Sequence, residues 1–216
     1  MPITCDRLTV LPGETLIIDA NWEEFNEILE ELGEKRSSRI AYQNGQLHIM
    51  VPLPEHETNK CFLSNFVEAL LEECDIEFCP LGSTTFKSVG TFRGVEPDSC
   101  FYIPNEAKVR GRDRLDLSID PPPDLVIEVD ITSRSYPEIY AALGVPELWQ
   151  YNRQSFLIQH LDLDSQTYNA YPESQYFPGF PLTEVLPKYL QRARTEGRNA
   201  TMRAFRSWVR EQMGER

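Results

Sequence analysis

Two apolar runs constrain this chain more than any other feature, because each carries acids where a buried strand normally carries Val or Ile. They are Val95-Glu-Pro-Asp-Ser-Cys-Phe-Tyr-Ile103 and Asp124-Leu-Val-Ile-Glu-Val-Asp-Ile-Thr132. Strand side chains alternate faces with period two. Glu128, Asp130 and Thr132 therefore share one face of the second run, and Leu125, Ile127, Val129 and Ile131 share the other. Asp98 follows a proline in the first run. A carboxylate buried without a partner costs several kcal/mol or holds its proton to higher pH. A cation between the strands removes that cost, so the stretch reads as a divalent-metal site formed by Asp98, Glu128 and Asp130.

Composition narrows the setting. The 216 residues fit one domain, or one domain with an appendage, and 41% hydrophobic content with 11% aromatics supplies a sizeable core. The net charge of −13 disfavours non-specific attraction to nucleic acid or to anionic membrane. The charge is uneven: from Leu186 onward eight Lys or Arg face three Glu, net +5. Five cysteines with no Cys-x-x-Cys pair, and no signal-peptide pattern, lead to the expectation of a cytoplasmic protein with free thiols. No apolar run approaches the roughly 20 residues of a membrane span.

Local patterns predict a mixed α/β order on a single core. Asn21 and Glu24 form a capping-box signature ahead of an apolar stripe, giving a helix over 21–32 that ends at Gly33. Asn44-Gly45 between two apolar segments predicts a hairpin of 39–43 with 46–51. A helical stripe runs from Glu55 to Cys74, and short strands are expected near 76–78 and 83–87. An exposed loop is expected over 105–120, closed by three prolines. A short helix over 137–143 with Gly144 as its cap follows, then strands at 147–151, 156–161 and 168–171, and two helices over 183–194 and 199–213. The expected division is an N-terminal strand and helix (1–37), a core domain (38–180) and a basic helical extension (181–216).

Several chemistries lose their usual support. The three histidines are too scattered for a typical zinc site, and Lys60 stands where a His-Glu-x-x-His motif beginning at His56 needs its second histidine. There is no Gly-x-Ser-x-Gly elbow, phosphate loop or dinucleotide fingerprint. An oxygen-only site suits Mg²⁺ or Mn²⁺, and such an ion supports phosphodiester hydrolysis. A nearby lysine would orient water or stabilise charge on phosphorus.

Pro97-Asp98 followed by Asp124-Leu-Val-Ile-Glu128-Val-Asp130 resembles the PD-(D/E)XK nuclease signature, in which the Asp and the Glu bind metal. Four pieces in order resemble the Uma-two-type restriction endonuclease family more closely. They are Leu53-Pro-Glu-His-Glu57, Gly82-Ser-Thr-Thr-Phe-Lys87, Val95-Glu-Pro-Asp98 and Tyr140-Ala-Ala-Leu-Gly-Val-Pro-Glu-Leu-Trp149. The resemblance covers about residues 38–160 and implies a restriction-endonuclease-like fold, a central mixed sheet flanked by helices. It implies a Mg²⁺- or Mn²⁺-dependent DNA endonuclease with Asp98, Glu128 and Asp130 at the metal and Glu57 in support. Lys87 would orient phosphate or water. A homodimer is expected where two strands are cut.

The chain departs from the signature at Asp130, which occupies the usual lysine position; Lys87 and Arg134 are the nearest cations in sequence. Two other readings stay open: a nuclease-like binding module without chemistry, and a phosphoesterase acting on RNA or nucleotides. Structural roles compete at each position. Glu57 can offset a helix dipole, Asp130 can cap a helix, and the basic face of the last helix can be solvated or can contact DNA.

Overall fold

The computed structural model describes residues 9–33, 36–131 and 135–214. Its first strand, β1 (Thr15–Asp19), leads into helix α1 (Trp22–Leu32). Asn21 caps α1 through the expected reciprocal pair: its Oδ1 accepts from Glu24 N–H at 2.9 Å, and Glu24 Oε2 accepts from Asn21 N–H at 2.8 Å. The hairpin β2 (Arg39–Gln43) and β3 (Gln46–Met50) turns at Asn44 and Gly45, whose φ values of 52° and 76° are the left-handed pair a tight hairpin needs.

Helix α2 (Pro54–Glu73) follows, then the short strands β4 (Cys79–Pro80), β5 (Phe86–Ser88) and β6 (Arg93–Val95). β4 and β5 lie a few residues beyond the segments expected from sequence, because each forms only where it meets a partner: β4 on Tyr102 and Phe101, β5 on β6. Strand β7 (Ser99–Tyr102), the short helix α3 (Glu106–Val109) and strand β8 (Leu125–Val129) complete the middle of the chain. The segment expected as an open loop thus contains α3, and its end is anchored: Asp120 and Asp124 are both buried.

Beyond it come α4 (Pro137–Leu143), β9 (Glu147–Asn152), β10 (Ser155–Asp162), β11 (Thr167–Tyr171), α5 (Leu182–Glu196) and α6 (Arg198–Gly214). Gly144 ends α4 at φ 79°.

The strands form two sheets, a division the sequence did not announce. One is antiparallel, in the order β1-β3-β2-β6-β5. The other is mixed, in the order β11-β10-β9-β8-β7-β4, with β8 and β9 parallel across a connection that contains α4. The run 95–103, read as one strand, splits between them. Val95 belongs to the first sheet and Ser99 to the second, with Glu96, Pro97 and Asp98 in the passage. Pro97 has no N–H for a ladder, which makes it a natural breaking point.

Three apolar clusters follow from this layering. On one face of the mixed sheet Leu125, Ile127, Val129 and Trp149 pack with α2, α5 and α6. On the other, Cys100, Val126 and Leu148 meet Ile139 and Tyr140 of α4, together with Ala41, Phe86 and Val95 of the antiparallel sheet. The far face of that sheet packs Ile40, Tyr42, Leu47 and Ile49 on Phe25 and Ile28 of α1. Cys61, Cys79 and Cys100 are free thiols, and no helix among the described residues is long and apolar enough to cross a membrane.

Helix α6 buries Met202, Phe205 and Val209, and its basic face is partly consumed. Arg210 makes a two-pronged contact with Glu73 at 2.6 and 2.9 Å, and Arg206 pairs with both Glu72 and Glu73.

The contact between the antiparallel sheet and α1 sets a test. A Cβ on Gly94 would lie 2.8 Å from Cζ of fully buried Phe25. Gly94→Ala should therefore destabilise the protein by about 1–3 kcal/mol, the usual range for overpacking. Gly90→Ala, whose Cβ would meet only Ser88 Oγ at 3.8 Å, should change little. Urea unfolding of the two variants checks the contrast.

Candidate metal centre

The passage between the sheets carries the site. Asp98 is 2% exposed, and its Oδ2 accepts a hydrogen bond from Val129 N–H at 2.8 Å. The β7–β8 ladder starts with Ser99 opposite Ile127, so this carboxylate stands just before β7 begins, where the next ladder partner of Val129 would be. Glu128, also buried, points to the opposite face from Val129 and lies close enough to the Asp98 carboxyl for that charge to raise its own pKa. The Tyr140 hydroxyl, from α4, donates to Glu128 Oε1.

Asp130 continues the same face just past β8. It accepts from Ser135 N–H at 2.9 Å, from Ser135 Oγ at 3.1 Å and from Gln150 Nε2 at 3.3 Å. These donors tie the end of β8 to the entry of α4. Asp98, Glu128 and Asp130 line one cleft between the sheets, opposite Arg39, His48 and Met50 of the β2–β3 hairpin. Its volume of about 50 Å³ admits an ion with a few waters but not a nucleotide.

Helix α2 supplies the other wall. Its first turn is pinned by Glu55, which binds Arg153 from the β9–β10 turn and Arg194 from α5. Hydrogen bonds from Arg153 and then Arg194 hold the Glu55 carboxyl down at about 2. One residue on, His56 is 1% exposed with Nε2 2.9 Å from Asp98 Oδ1, close but without hydrogen-bond alignment; Nδ1 has no partner either. Burial lowers the His56 pKa, so the ring is neutral at pH 7. Glu57 is half-exposed and engages Arg39 Nη2 at 3.2 Å and Lys60 Nζ at 3.6 Å. Arg39 Nε stands 3.9 Å from Asp98 Oδ1.

The sequence candidates separate in space. Asp98 and Glu128 converge, and Asp130 joins them in the cleft through its own set of donors. Glu57 sits behind Arg39 rather than in the lining. Lys87 lies on the outer part of the antiparallel sheet, where its Nζ donates to Asn26 of α1 at 2.8 Å. Arg134 and Thr132 lie outside the described residues. Cys100, on the same face of the sheet as Val126, packs in the core and its thiol donates to Gly82 O at 3.4 Å.

Arg39, Lys60, Tyr140 and Gln150 were not foreseen. Lys60 falls one helical turn after His56, a spacing that puts both on one face of α2. Arg39 opens β2, ahead of Ile40, Ala41 and Tyr42. Both were legible as isolated cations, but only the fold brings them to Asp98.

The residues fit a divalent cation. Two buried carboxyls in contact repel when ionised, and a hard oxygen-seeking ion resolves the repulsion while keeping several waters. Among the described residues no third His, Cys, Asp or Glu completes a ready-made cluster, so Asp98 and Glu128 would be the principal ligands and Asp130 a support.

Burial raises Asp98 to about 7, and burial with the nearby Asp98 charge raises Glu128 well above the carboxylate range. The folded, metal-free protein thus holds protons that the unfolded chain releases near pH 4. At Asp98 the folded molecule holds an extra proton from about pH 4 to about 7, so this residue's contribution to stability falls as pH rises through that window and levels off above it, and Glu128, also raised, adds a loss of the same sign. Asp98→Asn, neutral throughout, should flatten the decline by about 1–4 kcal/mol. Urea unfolding in EDTA across this range measures it; a wild type that gains stability relative to the variant would contradict the burial argument.

The Uma2 family model, described as "Putative restriction endonuclease", matches residues 22–194. No curated protein sequence matches the chain. Among solved structures, the fold is similar to the crystal structure of a putative nuclease from Anabaena variabilis, with a TM-score of 0.55. That likeness covers 79% of this chain and 98% of the other at 13% identity, and it is a likeness of fold. The family match takes in α1, every strand of the two sheets except β1, and the cleft residues from Arg39 to Tyr136, and the chain belongs to the Uma2 family.

Proposed function

We propose that this protein is a Mg²⁺- or Mn²⁺-dependent endonuclease that hydrolyses DNA phosphodiester bonds at the Asp98–Glu128 cleft. The observation that carries the reading is the pair of adjacent, buried carboxyls held at the passage between two sheets. Asp98 serves the joint to β8 through Val129 N–H, but a second acid beside it adds only repulsion, which a cation relieves. The chemistry such an ion supplies is polarisation of a phosphoryl oxygen and acidification of water.

The chain's own residues divide the remaining work. Val129 N–H and Tyr140 O–H fix the carboxyl orientations. Asp130, held by Ser135 and Gln150, adds negative charge beside Glu128. Arg39, steadied by Glu57, is the cation on the cleft wall for a phosphate oxygen, and its planar guanidinium suits that contact. Lys60 reinforces the positive field at Asp98 from α2. The cleft is too small for a nucleotide, so the scissile phosphate sits at its mouth. Cutting both strands of a duplex calls for two such sites, which favours a homodimer.

One observation favours a second reading, a binding module without chemistry: among the described residues no lysine lines the cleft, and arginine is a poor general base. Calorimetric titration with Mn²⁺ and incubation with supercoiled plasmid separate the readings. Wild type is expected to bind Mn²⁺ and nick plasmid, Asp98→Asn to lose both, and Glu128→Gln to lose cleavage by at least about a hundredfold, on the order of 3 kcal/mol. Metal binding without cleavage points to the binding module. Preference for RNA over DNA in the same assay moves the substrate, and absence of Mn²⁺ binding sinks the metal site itself.

A further inference from the structure

Many of the described cations are neutralised within the fold. Arg36 meets Glu96, Arg153 and Arg194 meet Glu55, and Arg206 and Arg210 meet Glu72 and Glu73. Among the described residues Lys87, Arg93, Lys108 and Arg114 form no ion pair with a carboxylate, and they concentrate on two neighbouring pieces of chain. Lys87 and Arg93 belong to the β5–β6 hairpin. Lys108 and Arg114 bound Lys108-Val-Arg-Gly-Arg-Asp-Arg114, which holds four cations and one acid in a protein of net charge −13. The others without such a pair, Lys188, Arg198 and Arg203, are spread along α5 and α6.

The hairpin and this segment enclose a groove of about 730 Å³, lined by Lys87, Arg112 and Arg114 with the hydroxyls of Thr84 and Ser88. Its two acids are already occupied. Asp120 pairs with Arg112 at 3.2 Å, and Asp116 Oδ1 accepts from Ser118 N–H at 2.9 Å. The groove adjoins the metal centre: Thr85, in its wall, donates to Glu96 at 2.6 Å, and Glu96 lines the cleft. It is more than ten times the volume of the cleft, the scale of a polymer track rather than of an ion site.

We infer that this groove carries the nucleic-acid phosphate backbone past the Asp98–Glu128 centre, with Arg114 and, on release of its ammonium from Asn26 Oδ1, Lys87 as phosphate contacts. The inference rests on the nuclease reading for its substrate but on separate residues for its evidence. It also locates the positive surface that an acidic protein needs to hold a polyanion, away from the C-terminal helix whose Arg206 and Arg210 are spent on α2.

The test is anisotropy of a short labelled duplex with the full chain in EDTA, across a salt series. Lys87→Gln/Arg114→Gln is expected to reduce the slope of log K against log salt by about 1–2, at about 0.9 per phosphate contact. Affinity at low salt should fall about tenfold, while Lys188→Gln/Arg203→Gln behaves as wild type. Arg114→Gln alone, at an exposed side chain without a partner, gives half the effect and guards against misfolding of the double variant. An unchanged slope, an equal loss in the α5–α6 variant, or no duplex binding by wild type overturns the inference. So does a change of oligomeric state with the slope intact, which would make the groove a protein contact. Mn²⁺ titration of the double variant should match wild type. If wild type binds no Mn²⁺ yet the slope still drops, the metal-site reading fails and the groove stands.

Discussion

The hydrogen bond from Val129 N–H to Asp98 holds the molecule's two halves in register. Pro97 releases the chain from the antiparallel sheet, and the carboxylate two atoms of backbone later seizes the edge of β8 in the mixed sheet. A carbonyl could have done the same without charge. Using a carboxylate puts an acid at the deepest point between the sheets and beside Glu128, where burial favours its protonated form. Tyr140, Arg39 and Lys60 then act on that pair from three different elements: α4, β2 and α2. The side chain that joins the two sheets is also one half of the proposed metal-binding pair.

Charge elsewhere is arranged to keep those elements in place. Glu55 draws Arg153 and Arg194 together over the first turn of α2, so the turn that presents His56 and Glu57 is tied to both β9–β10 and α5. Exposed pairs of this kind are individually worth under about 1 kcal/mol. Their effect here lies in geometry: two guanidiniums on one carboxylate restrict where a helix N-terminus can sit. At the other end of α2, Glu72 and Glu73 take Arg206 and Arg210, which turns an apparently cationic C-terminal face into an internal clamp.

What was legible from sequence follows the range of the interactions. Asn21 with Glu24, Asn44 with Gly45, and Gly144 after α4 act within a few residues, and each forms as its local chemistry dictates. The period-two pattern of 124–132 put Glu128 on the face opposite Val129, because alternation is a property of any extended chain. The passage between sheets was not legible, since Val95 to Ile103 is apolar on both sides of Pro97 and reads as one strand. The strand boundaries at β4 and β5 depend on distant partners. Lys87 precedes Asp98 by few residues in sequence yet projects toward α1, while Arg39 and Lys60, remote in sequence, approach the acid.

That contrast bears on the residue two positions after Glu128. In an extended chain that position shares the face of Glu128, so a lysine there would reach the same cleft from the same strand. Here it is Asp130, and its donors, Ser135 and Gln150, use it to fasten β8 to α4 and β9. A lysine in its place would lose those bonds and set its ammonium against the same donors. The strand therefore has no room for a cation at this position without giving up the entry to α4. Among the described residues the positive charge at the cleft comes instead across the gap, from Arg39 on β2 and from Lys60 on α2, both kept in position by Glu57. The acids and the cations thus sit on separate elements, and the sheet-to-sheet passage at Asp98 is what brings them within reach of one another.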